Sequence, residues 1–206
     1  MPTMDEQVGP GGTAGHENEV SAPAPGALET VRSFLSVHDH DPSSMGSLPP
    51  SGATLAAWFA RSALVDPSEL LSDADLSWAV RVHAALRAKV FMNDGRPSDP
   101  EAIKTLNDAA GRSGLRLCFG CEDGGKIHTD GAGVQRAIGT VLGIAFLAEL
   151  DGTWARLHGC SAPDCASIFY DRTKNHSAKW CSMESCGNRN KVRRYRERQA
   201  AAGPPA

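Results

Sequence analysis

The chain has 206 residues, enough for one domain of ordinary size and a smaller module, because domains usually contain roughly 100–200 residues. Its formal net charge is −3, yet the part from Cys160 onward carries nine basic and four acidic side chains, so the part before it is strongly acidic. The longest apolar run, 141–148, is far shorter than the ~20 residues that span a bilayer, and the first residues resemble no secretory signal. We therefore expect a cytoplasmic protein without a membrane anchor.

The first helices follow a polar tail. Residues 1–27 are rich in glycine and proline and show no apolar periodicity, so they are predicted to be disordered. Apolar residues then recur at helical spacing in 28–35 and in 55–64, which predicts two short helices. Ser72 opens a sequence similar to a capping box, and a long helix is predicted from there to about Phe91.

The second half of this domain is predicted to contain two more helices and one hairpin. A helix begins at 98–101 and ends at the following glycines, and alternating residues in 115–119 and 126–128 predict a short β-hairpin. Thr129 or Asp130 is placed to cap a last helix that reaches about Leu157. Residues 28–157 therefore form a mainly α-helical domain in this interpretation, in which Trp58 and Trp78 are core residues or line a small-ligand pocket.

The predicted hairpin contains a cysteine pair, Cys118 and Cys121. A single CxxC pair supplies only half of a four-cysteine metal site, and no second pair lies near it in sequence. Ordinary thiols, a redox pair and a metal site shared between subunits all remain open.

Four cysteines close the folded part of the chain, namely Cys160, Cys165, Cys181 and Cys186. Each pair has a four-residue gap, which lets one tight turn present two sulfur atoms to the same ion. Four thiolates satisfy the tetrahedral preference of Zn²⁺ without water, and such a closed shell is structural, not catalytic. The spacing therefore predicts one zinc ion per chain.

Other interpretations of these cysteines stay open at this point. They would form two disulfides in an exported protein, they could be buried thiols without a metal, and His158 or His176 could replace one of them as a ligand. A module of about 45 residues has too small a core to fold unaided, which favours a metal that binds as the module folds.

The segment between the cysteine pairs predicts a second hairpin. Its strands are expected at 168–170 and 178–180, with a polar loop at 171–177. Phe169, Tyr170 and Trp180 would then supply most of the core of a finger module at 158–199.

A basic segment after Cys186 predicts a helix to about residue 199, followed by a disordered tail at 200–206. At 100° per residue, one narrow face is formed by Asn188, Val192, Tyr195 and Gln199, and this face is expected to dock on the finger. Basic side chains flank it, with Arg189, Arg193 and Arg196 on one side and Lys191, Arg194 and Arg198 on the other. Two basic flanks suit phosphates on either side of a groove, whereas a merely solvated helix face is the alternative.

The C-terminal module resembles the CGNR zinc-finger family. The residues that carry the resemblance are the four cysteines and the sequences Phe169-Tyr170-Asp171-Arg172, Asn175, Lys179-Trp180-Cys181-Ser182-Met183, Cys186-Gly187-Asn188-Arg189 and Lys191-Val192-Arg193. In that family the finger follows a helical ABATE domain, described as a stress-induced transcription regulator, and 28–157 is similar in length and pattern. The resemblance implies that the four cysteines bind zinc and that the protein is a DNA-binding regulator.

The leading hypothesis is a transcription regulator that binds double-stranded DNA. Arg189 and Lys191 would contact bases or phosphates, the other four basic residues would position the module, and the helical domain would form a homodimer or sense a small ligand. The alternative is a zinc-stapled module that binds an acidic protein partner, or the chain's own acidic domain. RNA is a further variant. The remaining histidines show no catalytic or ligand spacing, so we expect no enzyme.

Overall fold

The computed structural model describes residues 23–40, 47–66, 68–121 and 124–202. Most of both predicted tails, 1–22 and 203–206, therefore lies outside the described residues. Ala24 is buried in the core immediately before the first helix. The limits predicted for the domains stay predictions.

Six α-helices and three two-stranded antiparallel sheets make up the described chain. The mainly α-helical architecture with one internal hairpin and a C-terminal four-cysteine module is thereby confirmed. In chain order, the elements are α1 Leu28–Leu35, β1 Asp39–His40, β2 Ser47–Leu48, α2 Gly52–Ser62, α3 Asp73–Asn93, α4 Pro100–Arg112, β3 Leu115–Cys121, β4 Gly124–Thr129, α5 Gly133–Leu150, β5 Leu157–Gly159, β6 Ile168–Tyr170 and α6 Asn188–Ala202.

Local capping explains where three of the helices begin. The Ser72 side chain accepts a hydrogen bond from the Asp75 amide at the start of α3, and Asp99 accepts from the amides of Glu101 and Ala102 at the start of α4. Ser51 does the same for α2. These contacts satisfy amides that the first helical turn leaves unpaired.

The last helix of this domain differs from the prediction at both ends. Helix α5 begins after Ala132 without a side-chain cap, so neither Thr129 nor Asp130 caps it. It ends at Leu150 because Gly152 adopts a left-handed φ of 81°, which ends the helical path and starts a short 3₁₀ turn. Leu157, expected at the helix end, instead opens β5.

The core lies where α1, α3 and α5 meet. Phe34 packs edge-on against His83 and at 5.1 Å from the Trp58 ring, and both Trp58 and Trp78 are buried core residues. By length and composition, α5 could cross a membrane. Half of it is buried inside the protein, however, as expected for the core helix of a soluble bundle.

Candidate metal centre and basic helix

The four cysteine sulfur atoms converge on one point. All four Sγ atoms lie within 4.8 Å of one another. Cys181 Sγ is 3.7 Å from Cys165 Sγ and 3.6 Å from Cys186 Sγ. A tetrahedron with zinc–sulfur bonds of ~2.3 Å has edges of about 3.8 Å, so the spacing fits one zinc ion. The predicted cofactor, one Zn²⁺ per chain, is confirmed by this arrangement.

Two tight turns bring the sulfur atoms together. In the first, the Cys165 amide donates to the Ala162 carbonyl at 3.0 Å. In the second, Ser182 caps a π-helical turn, Met183–Gly187, by accepting from the Ser185 amide. The Ser161 amide donates to the Lys179 carbonyl at 2.9 Å and so joins the two turns.

The proximity of the thiols makes a cation necessary if all are to ionise. The hydrogen bonds from Cys160 and Cys181 lower the pKa of Cys165. The pKa of Cys160 is raised to about 12, chiefly by its hydrogen bond to Cys165, and that of Cys181 is raised by its two thiol neighbours. One thiolate therefore suppresses the ionisation of the next, and bound Zn²⁺ would remove this penalty while releasing protons.

Arg189 supports the centre from the start of α6. One terminal nitrogen of its guanidinium donates to Cys186 Sγ at 3.1 Å, and the other lies 3.0 Å from the Asp164 carboxylate. The pKa of Arg189 is raised, first by the Cys186 contact. A cation beside a ligating thiolate stabilises its negative charge and fixes its orientation. This residue was expected to contact DNA, and the structure shows that its guanidinium is engaged within the finger.

The finger's strand pairing differs from the prediction. Strand β6 pairs with β5, in the register Leu157↔Tyr170 and Gly159↔Ile168, and residues 178–180 form no strand. The prediction of a hairpin between 168–170 and 178–180 was wrong, because β6 forms its backbone pairing with the preceding strand β5 instead.

Asp171 replaces the missing strand as the organiser of the loop. It is buried, and its two carboxylate oxygens accept from the amides of Thr173 at 2.7 Å and Ala178 at 3.0 Å. Burial alone would raise the pKa of Asp171, but these hydrogen bonds hold it below its ordinary value. The charged form therefore fixes the two ends of the loop at neutral pH.

The finger is bonded directly to the helical domain. At the C-terminal end of α3, Asp94 accepts from the Gly159 amide at 3.0 Å, and its other carboxylate oxygen lies 2.8 Å from His158 Nδ1. On α1's side, Ser36 Oγ accepts from the Ile168 amide at 3.2 Å. Neither His158 nor the exposed His176 lies in the metal-binding group, so the four-cysteine set stands. Asp94 and Ser36 were not predicted as partners of the finger, and no sequence motif marks them.

Helix α6 is exposed beyond its first turn. Every residue from 191 to 200 is exposed, and Val192 and Tyr195 are 49% and 56% exposed. The prediction that their face docks on the finger was therefore wrong. The helix continues directly from the Met183–Gly187 turn, with which it makes its main contacts.

The remaining predicted basic residues divide by their partners. Within the described chain, Lys191, Arg194, Arg196 and Arg198 form no ion pair, whereas Arg193 lies 3.8 Å from Glu197 and donates to Asn190.

The cysteine pair of the internal hairpin lies far from this region in sequence. Cys118 is disulfide-bonded, the side chain of Cys121 lies outside the described residues, and a role for the pair stays a prediction.

Two family models match the chain. One is described as "CGNR zinc finger" and covers residues 156–199. The other, ABATE, is described as "Putative stress-induced transcription regulator" and covers residues 39–150, more than half of the chain. The comparison with curated proteins finds no match. The two models agree with the resemblance drawn from the sequence, in identity and in order.

Proposed function

Because the chain belongs to the ABATE family and carries its finger of the CGNR type, we propose that it is a zinc-dependent transcription regulator whose helix α6 binds duplex DNA. It would be a soluble cytoplasmic protein without enzymatic activity. The exposure of α6 is the observation that carries the proposal. The helix carries six basic residues and one acidic residue, follows directly on the four-cysteine centre, and is exposed from residue 191 to residue 200.

The charge of α6 favours a polyanion as its partner. Its net charge of +5 lies on 15 residues of one helix, whose main contacts within the described chain are with the Met183–Gly187 turn. The major groove of B-DNA admits an α-helix, and phosphate contacts from both flanks would position it there. Lys191, Arg194, Arg196 and Arg198 need break no ion pair within the described chain to reach phosphates, and Arg198 would give up only a 3.3 Å hydrogen bond to the Arg194 carbonyl.

The engagement of Arg189 refines the roles within the helix. Since its guanidinium already holds Cys186 and Asp164, we assign it to positioning α6 relative to the metal. Lys191 and the three unpaired arginines would make the DNA contacts. The helical domain would then dimerise or sense a signal, and its bonds to β5 and β6 would fix the direction of the finger.

The salt dependence of binding to random-sequence duplex DNA tests this proposal. Each neutralised phosphate contributes about 0.9 to the slope of log K against log salt, so the four contacts give a slope of roughly −3.6. The variant Lys191→Gln/Arg194→Gln/Arg198→Gln should bind zinc normally and lose about 2.7 units of slope. Fluorescence anisotropy of a labelled duplex measures both.

A matched control removes the same charge elsewhere. The variant Arg61→Gln/Arg81→Gln/Lys104→Gln changes three exposed basic residues on α2, α3 and α4. It should retain the wild-type slope. Equal slopes for both triple variants, or no binding of the zinc-loaded wild type at low salt, would refute a DNA-binding role for α6.

A second candidate function is favoured by the apolar part of α6. Val192 and Tyr195 are half exposed between the two basic flanks, an arrangement that also suits an amphipathic, acidic helix of a partner protein. Replacing Tyr195 by Ala should leave the salt slope of DNA binding unchanged if phosphates dominate. Two results together would select this alternative. The wild type would bind no duplex DNA, and an acidic amphipathic peptide would raise the melting temperature of the wild type but not that of Tyr195→Ala.

A further inference from the structure

A cleft of about 490 Å³ lies at the junction of the helical domain and the finger. Its apolar wall is formed by helix α3, by the chain on either side of β1 and β2, and by the finger, through Val37, Pro50, Ala84, Ala88, Phe91 and Ala166. The volume is in the range of sites that bind small organic molecules, roughly 300–1,000 Å³. The buried residues Trp58 and Trp78 do not line it.

Two arginines give this cleft its charge. The guanidinium carbon of Arg96 lies 4.2 Å from the centre of the Phe91 ring, and that of Arg87 lies 5.4 Å from it. Neither forms an ion pair with any residue that the structure describes. The acidic residue in the cleft, Asp99, has one carboxylate oxygen committed to capping α4.

The two guanidinium groups are close enough for each positive charge to repel the other. Burial lowers the pKa of Arg87, the negative charge of the Cys165 thiolate partly offsets this, and the charge of Arg96 lowers it further. Arg87 is held in place because it donates to the backbone carbonyls of Leu35 and Ala166. The result is a fixed positive charge beside an apolar wall, where an anion gains more than it would in water.

A buried histidine adds an unused polar atom. His83 lines the cleft and is 2% exposed, and its Nε2 has no hydrogen-bond partner within the described chain. Burial, followed by the charge of Arg87, lowers the pKa of His83 to about 3, so the ring is neutral. Buried polar atoms normally have a partner, and an orphan at a cleft wall is a feature of a binding site.

We propose that this cleft binds a small organic anion with an apolar body, such as an aromatic or short aliphatic carboxylate. The carboxylate would lie between Arg96 and Arg87, and the apolar body would contact Phe91, Ala84 and Ala88. The site is independent of the proposed function, because occupancy is measured without DNA. It nevertheless lies next to the finger, since Ala166 follows the metal ligand Cys165.

Calorimetric titration of the zinc-loaded full chain tests the site with three probes, benzoate, hexanoate and indole-3-acetate. Each carboxylate is compared with its own uncharged amide. A charge-assisted hydrogen bond accounts for about a 10- to 100-fold difference in affinity, so at least one carboxylate should bind that much more tightly than its amide. Arg96→Ala should remove this difference, and Ala88→Phe, which fills the cleft, should abolish binding of both forms.

Arg81→Ala is the matched control, because Arg81 is an exposed arginine on the same helix that does not line the cleft. It should bind the carboxylate as the wild type does. The melting temperature of each variant shows that it is folded. The proposal is overturned if no carboxylate binds at millimolar concentration, if acid and amide bind equally, or if Arg96→Ala and Ala88→Phe bind as tightly as the wild type.

Discussion

Replacing Gly159 by alanine should strain the contact between finger and helical domain. Gly159 ends β5 where that strand crosses α3, and a Cβ atom there would lie 2.3 Å from Phe91 Cε1 and 3.0 Å from Cδ1. The ring has little freedom to move, because the guanidinium groups of Arg87 and Arg96 both pack against it. The backbone is equally constrained, since the Gly159 amide donates to Asp94.

The expected loss is that of an overpacked core. Forcing an extra carbon into a packed site typically costs about 1–3 kcal/mol of unfolding free energy. For a chain of 150–250 residues, 1 kcal/mol shifts the melting temperature by roughly 2–4 °C, so Gly159→Ala should melt roughly 2–12 °C below the wild type. Calorimetry on zinc-loaded protein measures the shift, and the zinc content checks that the metal is retained.

A second variant tests the cause. Phe91→Leu shortens the side chain that the new methyl group would meet, so Gly159→Ala/Phe91→Leu should lose less stability than the sum of the two single changes. An unchanged melting temperature for Gly159→Ala, or strictly additive losses in the double variant, would refute this account of the contact.

Three further predictions concern the finger and the core. Asp171→Asn retains only one acceptor for the amides of Thr173 and Ala178, so the unfolding free energy should fall by about 1–3 kcal/mol in urea titrations; no loss would contradict the role of the charged form. Because the unfolded chain protonates His83 near pH 6.5 and the folded chain only near pH 3, stability should fall with acidification below pH 6.5 by up to about 1.4 kcal/mol per pH unit. This part of the pH dependence should be missing in His83→Leu. Equal slopes of unfolding free energy against pH in the wild type and the variant would exclude a contribution from His83. Cys186→Ser should lower the zinc content below one per chain and reduce the near-ultraviolet circular dichroism of the finger, as chelation of the wild type should; full zinc occupancy would exclude Cys186 as a ligand.

The features that the sequence predicted correctly are those with a local cause. The starts of α3 and α4 follow from Ser72 and Asp99, whose side chains bond amides two or three residues later. The metal centre follows from two cysteine pairs, because each turn needs only its own residues to present two sulfur atoms. The family resemblance added the order of the two parts, which spacing alone does not supply.

The wrong predictions concern strand pairing and helix packing, which depend on residues distant in sequence. Strands of three residues have little intrinsic pairing preference, and β6 pairs with β5 because both are anchored on the helical domain, through Ser36 and Asp94. Helical periodicity correctly placed Val192 and Tyr195 on one face of α6. It could not show that Val192 and Tyr195 remain about half exposed instead of packing on the finger.

The hydrogen bonds between the finger and the helical domain affect how DNA binding by an isolated finger fragment is interpreted. A fragment that begins at His158 would lack Leu157, the first residue of β5, together with the Asp94 and Ser36 contacts that hold both strands. Weak DNA binding by such a fragment would therefore not distinguish a loosened finger from a different function. Helix α6 continues from the Met183–Gly187 turn, which belongs to the finger. The finger in turn is held by hydrogen bonds from β5 and β6 to Asp94 and Ser36 of the helical domain. Arg87 on α3 donates to the Ala166 carbonyl, directly after the first cysteine turn, so α3 contacts the base of the helix that we propose to bind DNA.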